Sequence, residues 1–169
     1  LTRDEIMISA VDCTGHGVPG AFMSIVGYNQ LNYAVSVKKS RSSDDILNNL
    51  NKGVIETLSS ESTHESKVMD GMDLALCVFD KELKKVQFSG ANNPLLLIRD
   101  GELTQYNADK FPIGAYEGKI PQVFTKNELD LKKGDCLYIY SDGYTDQFGG
   151  PRDKKLTTKK FKQLLLDIH

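Results

Sequence analysis

The stretch Glu5-Ile6-Met7-Ile8-Ser9-Ala10-Val11-Asp12-Cys13-Thr14-Gly15-His16-Gly17-Val18-Pro19-Gly20 reads, in order, as a strand, a turn and the opening of a helix. Glu5 to Val11 is apolar on both faces and too short for a helix, which predicts a buried strand ending at Asp12. Gly15, Gly17 and Gly20 then crowd one turn, and Pro19 suits the first position of a helix, where no backbone N–H is needed. That helix is predicted from about Gly20 to Val37, with Phe22, Ile25, Val26, Leu31 and Val35 facing a sheet.

Working outward, Ser42 and Asp45 match a capping box for a second helix whose stripe is Ile46, Leu47, Leu50, Val54, Ile55 and Leu58. Ser59 to Asp70 is polar and reads as a loop carrying an exposed His64. From Gly71 the apolar period becomes that of sheets. Met72–Phe79, Lys85–Ala91, Pro94–Arg99, Glu102–Tyr106, Gln122–Thr125 and Cys136–Ser141 are the expected strands, with Asp100-Gly101 as the clearest hairpin turn. Their short linkers make neighbours antiparallel, since parallel pairing needs long crossovers. Thr157 to Ile168 places Phe161, Leu164, Leu165 and Ile168 on one helical face. The order of strand, two helices, several strands and a helix is an α+β pattern, with helices laid over largely antiparallel sheet in one domain spanning 1–169.

A chain of 169 residues buries about 70% of its extended surface on folding, so it needs no disulfide or structural metal, and a metal here would serve chemistry. Lys and Arg total 21 against 23 Asp and Glu, a net charge of -2, which provides no overall basic field for nucleic acid. The 40% hydrophobic and 26% charged shares are those of a globular protein. No apolar run approaches the roughly 20 residues of a membrane span, and Leu1–Glu5 lacks the pattern of a secretion signal. No membrane contact and a cytoplasmic location are therefore expected. Cys13, Cys77 and Cys136 are odd in number and widely spaced, as free thiols are.

Two segments share one design, an apolar strand followed by an aspartate and a glycine turn: Ala10 to Gly17 and Tyr138 to Asp146. A carboxylate at the end of a buried strand is costly unless a cation or several donors meet it. Two brought together on neighbouring strands repel, and hard oxygen donors of this kind suit Mg2+ or Mn2+. The plainer reading makes Asp12 a helix cap and Asp142-Gly143 a turn. Cys13 beside His16 also invites a thiolate nucleophile, but the arginine that normally follows in a phosphate-cradling loop is absent.

Asp12 to Ala21, Asp70-Gly71-Met72-Asp73, Gly90-Ala91-Asn92-Asn93-Pro94-Leu95 and Ser141 to Gln147 together resemble the stage II sporulation protein E type of bacterial serine/threonine phosphatase, in the metal-dependent protein phosphatase 2C superfamily. The resemblance implies a layered β-sandwich of antiparallel sheets flanked by helices, with two Mn2+ or Mg2+ ions at one end. It implies that Asp12 bridges the metals, that Cys13 lends a main-chain carbonyl, and that Asp142 is a second metal-binding aspartate. It also implies direct attack of an activated water on phosphoserine or phosphothreonine, with His16 as proton donor or water holder, or else simply a residue fixing the turn. Asp70, Asp73 and Asp146 are candidates to support ligands from behind, and Asn92 and Asn93 read as turn residues.

Family members carry further strands before the first motif and a late aspartate pair, and neither is visible here. The chain is therefore expected to be a fragment of a longer multidomain protein, with sensor domains outside it. Its expected partner is a phosphorylated signalling protein, with an anti-sigma-factor antagonist as one candidate. A phosphatase-fold interaction module that does not hydrolyse, and a metal-dependent hydrolase of phosphodiesters or small phosphates, are the alternatives. The basic run Arg152, Lys154, Lys155, Lys159, Lys160 and Lys162 reads as a solvated helix face or as a dock for an acidic protein, and the 59–68 loop as a substrate or regulatory element.

Overall fold

A computed structural model describes residues 5–61, 70–114, 121–151 and 153–169. The elements are β1 (Glu5–Cys13), α1 (Gly17–Ser36), α2 (Ser43–Glu61), β2 (Gly71–Asp80), β3 (Lys85–Ala91), β4 (Leu95–Arg99), β5 (Glu102–Tyr106), β6 (Ile113–Gly114), β7 (Asn127–Asp130), β8 (Cys136–Ile139), α3 (Asp142–Thr145), β9 (Phe148–Gly149), β10 (Lys154–Lys155) and α4 (Thr158–Asp167).

Two antiparallel sheets carry the fold. The first runs β1-β2-β3-β7, with β6 beside the first residues of β2, and the second runs β5-β4-β8. Successive side chains of a strand face opposite ways, so β2 sends Leu74, Leu76 and Val78 to one core and Ala75 and Cys77 to another. The first of these cores meets α1 and α2, through Met23, Val26, Ile46, Leu47, Leu50 and Val54. The second lies between the sheets, against Phe88, Leu95 and Leu97. On its other face β4 gives Leu96 and Ile98 to a third core with Phe161 and Leu165 of α4. The result is four layers of helices, sheet, sheet and helix. Coverage on both faces is why β2 and β4 read as nearly continuous apolar runs.

Several expectations need correcting. Among the described residues β1 is an edge strand, bonded to β2 alone, and it extends through Asp12 to Cys13. Ile6 and Ile8 are each 49% exposed, so its apolar outer half is not the buried strand its composition suggests. On α1 only Val26 and Val35 of the expected stripe are buried, while Phe22 and Ile25 are exposed. Gly27 takes their place by letting the helix rest on Met72 of β2, where a Cβ would lie 2.5 Å from the methionine methyl. Gln122–Thr125 is not a strand. Phe124 drives into the helix-side core edge-on to Phe111, with ring centroids 5.0 Å apart, and the ladder position falls to Asn127–Asp130. β8 stops at Ile139, and α2 runs on to Glu61 past the expected loop start at Ser59. His64, Arg152 and most of the 59–68 loop lie outside the described residues. The three cysteines are free, as expected.

Candidate active site

The antiparallel register of β1 and β2 sets Asp12 opposite Asp73 and Cys13 opposite Met72. Asp12 thus shares a sheet face with Ala10 and Asp73, while the Cys13 side chain packs on the helix-side core. A thiol turned into that core is poorly placed to attack a phosphate near Asp12, which weighs against the cysteine nucleophile. The turn after β1 is locked by Thr14. Its N–H donates to the Gly71 carbonyl at 3.0 Å, its hydroxyl donates to the same oxygen at 3.1 Å, and the hydroxyl oxygen accepts from the Gly71 N–H at 2.9 Å. Gly15 follows at φ 85°, and its carbonyl lies 2.8 Å from where a Cβ on Gly20 would stand, so the loop folds against the helix too closely for a side chain there. His16 occupies the N-cap of α1, exposed, with no side-chain capping hydrogen bond.

Asp142 arrives from the second sheet. β8 ends at Ile139, and Asp142 begins the single turn α3, with the Asp146 N–H donating to the Asp142 carbonyl at 2.8 Å. Its carboxyl lies within hydrogen-bonding reach of the Asp12 carboxyl. Partial burial raises the Asp142 carboxyl above its ordinary value, and the charge of Asp12, the charge of Asp146, hydrogen bonding with Asp12 and the charge of Asp73 push the same way. Asp73 is also raised, chiefly by burial. The Asn92 amide, donating at 2.8 Å to Oδ1, opposes the shift, and the charge of Asp12 adds to it. Asp146 is held by Lys155 at 2.6 Å.

The site therefore gathers Asp12, Asp73 and Asp142 at one end of the sandwich, with Asp146 beside them. Asp70 directly precedes Gly71, the first residue of β2. Asn92 is the residue whose role the sequence reading missed. It sits at φ 59°, a left-handed conformation that asparagine tolerates, and that turn aims its amide at Asp73. The dense run Gly90 to Pro94 was the available signal.

The donor chemistry suits a hard divalent cation. Two carboxylates in contact repel unless a cation lies between them, and the carboxyls of Asp12, Asp73 and Asp142 are all oxygen donors. Among the described residues, however, no three His, Cys, Asp or Glu side chains are drawn together tightly enough to hold an ion unaided. Asp12 and Asp142 would supply two donors, and the remaining positions would fall to main-chain carbonyl oxygen and water.

The family model for stage II sporulation protein E (SpoIIE) matches residues 2–169. Among solved structures, the chain is similar to the SiaA-PP2C domain of Pseudomonas aeruginosa, at 28% identity and TM-score 0.81, over 99% of this chain and 63% of that one. It is also similar to the PP2C phosphatase domain with a fragment of the regulatory domain of SpoIIE from Bacillus subtilis, at 17% identity and TM-score 0.70, over 96% and 44%. RsbX, solved in complex with magnesium, matches at 14% identity and TM-score 0.60, over 99% and 75%. The chain thus spans under two thirds of the first two chains it matches. No curated protein matches it in sequence. The architecture is that of PP2C-like phosphatase domains.

Proposed function

Because the chain belongs to the stage II sporulation protein E family, a family of PP2C-type phosphatases, we propose that it hydrolyses phosphoserine or phosphothreonine on a signalling protein with the help of divalent metal. The observation that carries this reading is the contact between Asp12 and Asp142, which come from different sheets to one end of the molecule. Mn2+ or Mg2+, two ions if the resemblance holds at the site, would lower the pKa of a bound water and offset charge on the attacking and leaving oxygens. The magnesium complex of RsbX supports that choice of cofactor.

The residues of this chain contribute placement. Asp12 and Asp142 would hold the cation, joined by the Cys13 carbonyl. Asn92 orients Asp73, which presses its charge on Asp12 from across the ladder. Thr14 fixes the turn that presents His16, whose imidazole at the exposed start of α1 is free to hydrogen-bond a phosphate oxygen or protonate the leaving serine oxygen. The N-terminus of α1 adds its partial positive charge at the same place.

The substrate we propose is a phosphorylated regulatory protein, with an anti-sigma-factor antagonist as one candidate. Control would come from regulatory modules outside these 169 residues, by analogy with the regulatory domain of SpoIIE from Bacillus subtilis. Such work belongs in the cytoplasm, and no helix among the described residues is long and apolar enough to cross a membrane.

The test is hydrolysis of a phosphoserine peptide with Mn2+ by the chain, Asp12→Ala and Asp142→Ala, with Mn2+ affinity measured calorimetrically on each. Equal turnover by all three overturns the assigned roles. The incomplete ligand set among the described residues favours a second reading, a phosphatase-fold interaction module that does not hydrolyse. Micromolar Mn2+ binding with turnover in a longer form of the protein would remove it.

A further inference from the structure

Just beyond Asp142 the chain folds into the β9–β10 hairpin, and the basic run acquires two separate tasks there. The hairpin is anchored to the turn that carries Asp142. Leu156 N–H donates to the Gln147 carbonyl at 2.9 Å, Thr157 N–H to the Thr145 carbonyl at 2.8 Å, and the Gln147 amide to the Gly143 carbonyl at 2.7 Å. The two lysines of β10 go to different contacts. Lys155 turns to Asp146 beside the carboxylate cluster. Lys154 instead lines an open cavity of about 390 Å³ with Lys160 of α4, Tyr144, Phe148 and Leu156.

This cavity combines apolar floor and positive rim. Tyr144 and Phe148 are 53% and 69% exposed, more than buried core aromatics would be, yet the Tyr144 ring is braced against Phe161 with centroids 5.2 Å apart. Among the described residues no carboxylate lines the cavity, and neither Lys154 nor Lys160 forms an ion pair. A net negative protein therefore keeps two uncompensated cations and two exposed aromatics together, a few residues from its candidate metal ligand. Exposed apolar surface rimmed by charge of one sign marks a place for a partner.

We propose that this cavity docks the acidic segment flanking the phosphorylated residue of the protein substrate, an aspartate or glutamate reaching Lys154 and Lys160 and a neighbouring apolar side chain covering Tyr144 and Phe148. The inference rests on the phosphatase reading only for the identity of that segment. The docking itself is a property of the hairpin and α4, and its place next to Asp142 puts a bound segment beside the site of hydrolysis.

The test uses two fluorescein-labelled phosphoserine peptides, one with aspartates and a leucine beside the phosphoserine, the other with glutamines at the aspartate positions. Fluorescence anisotropy with Mn2+ gives their affinities for the chain, for Lys154→Glu/Lys160→Glu, and for Lys159→Glu, a surface lysine outside the cavity. Exposed ion pairs are individually weak, so the aspartate peptide is expected to bind the chain roughly ten-fold more tightly than the glutamine peptide. The double variant should erase that preference and Lys159→Glu should keep it. Equal binding of the two peptides, a preference that survives the double variant, or equal loss with Lys159→Glu overturns the proposal. Turnover of p-nitrophenyl phosphate, which has no flanking segment, reads the chemistry separately: it should be unchanged in the double variant. If a longer form of the protein hydrolyses neither this compound nor either peptide while the binding preference stands, the phosphatase reading fails and the dock remains.

Discussion

Strand β8 has an aspartate at each end, and their surroundings are opposite. Before its start, Asp135 accepts from Arg99 twice, Nε to Oδ1 at 2.8 Å and Nη2 to Oδ2 at 2.6 Å, and from the Lys132 N–H at 2.8 Å. The guanidinium holds the Asp135 carboxyl down at about 2. Past its end, Asp142 faces Asp12, with Asp146 and Asp73 near, and is raised. A fold selected for stability alone would place a cationic side chain at both ends. One end instead leaves the carboxyls of Asp12 and Asp142 facing one another, a cluster that the proposed cation would neutralise.

The largest expected effect lies at the Asp142 end. Asp12→Ala or Asp142→Ala should lower phosphopeptide hydrolysis with Mn2+ on the order of a thousand-fold or more, while Asp135→Ala leaves the rate per folded molecule near wild type. A comparable loss with Asp135→Ala would erase the distinction between the two ends.

Stability should respond in the reverse order. Asp135→Ala removes charge-assisted hydrogen bonds and should cost roughly 2 kcal/mol in urea unfolding. Because its folded value lies below the unfolded one, this contribution is complete above pH 4 and drains away as pH falls toward about 2. Urea midpoints measured across that range, wild type against Asp135→Ala, should converge at the acid end.

A smaller effect sharpens the link between the two strands at the site. Thr14→Val leaves the Gly71 N–H without its hydroxyl partner and should cost about 1 kcal/mol, with a larger loss in Mn2+ affinity than in stability, because Asp12 and Asp73 are aligned through this turn. Unfolding and calorimetric titration on the same variant separate the two effects.

The smallest shift carries the most informative sign. Metal-free Asp142→Asn should be slightly more stable than wild type near neutral pH, since it removes a repelled charge at a largely solvated position. Asp142 and Asp73 have raised folded values, so their favourable contribution belongs to low pH and is lost as pH rises through those values. Mn2+ affinity should fall as pH drops through the same range, above the ordinary carboxylate values. Saturating Mn2+ should reverse the ranking in a thermal melt. A metal-free Asp142→Asn less stable than wild type would break the contrast.

Legibility followed the range of the interactions involved. α2 matched its stripe almost residue for residue because Ile46, Leu47, Leu50, Val54 and Leu58 all face one core. β3 and β5 fell at their expected limits, bounded by local turns. Gln122–Thr125 misled because an apolar residue in an extended segment can enter a core without joining a ladder, as Phe124 does. β7 was missed because an edge strand with only Leu129 buried has little apolar signal. In the site, Asp12 and Asp142 were legible from their repeated strand and glycine setting, whereas Asn92 was not, since nothing in Asn92-Asn93-Pro94 says which side chain the turn will aim at a neighbour.

The order of residues along the chain was enough to set the periods, the turns and the two aspartates placed near strand ends, all products of forces acting over a few residues, whereas α1 begins at Gly17 rather than Gly20, with Pro19 as its third residue. Only folding in three dimensions stood Asp73 across from Asp12 and brought Asp142 to both. Those outcomes follow from burying both faces of β2 and β4 at once, a requirement that couples residues far apart in the chain and that no local window contains.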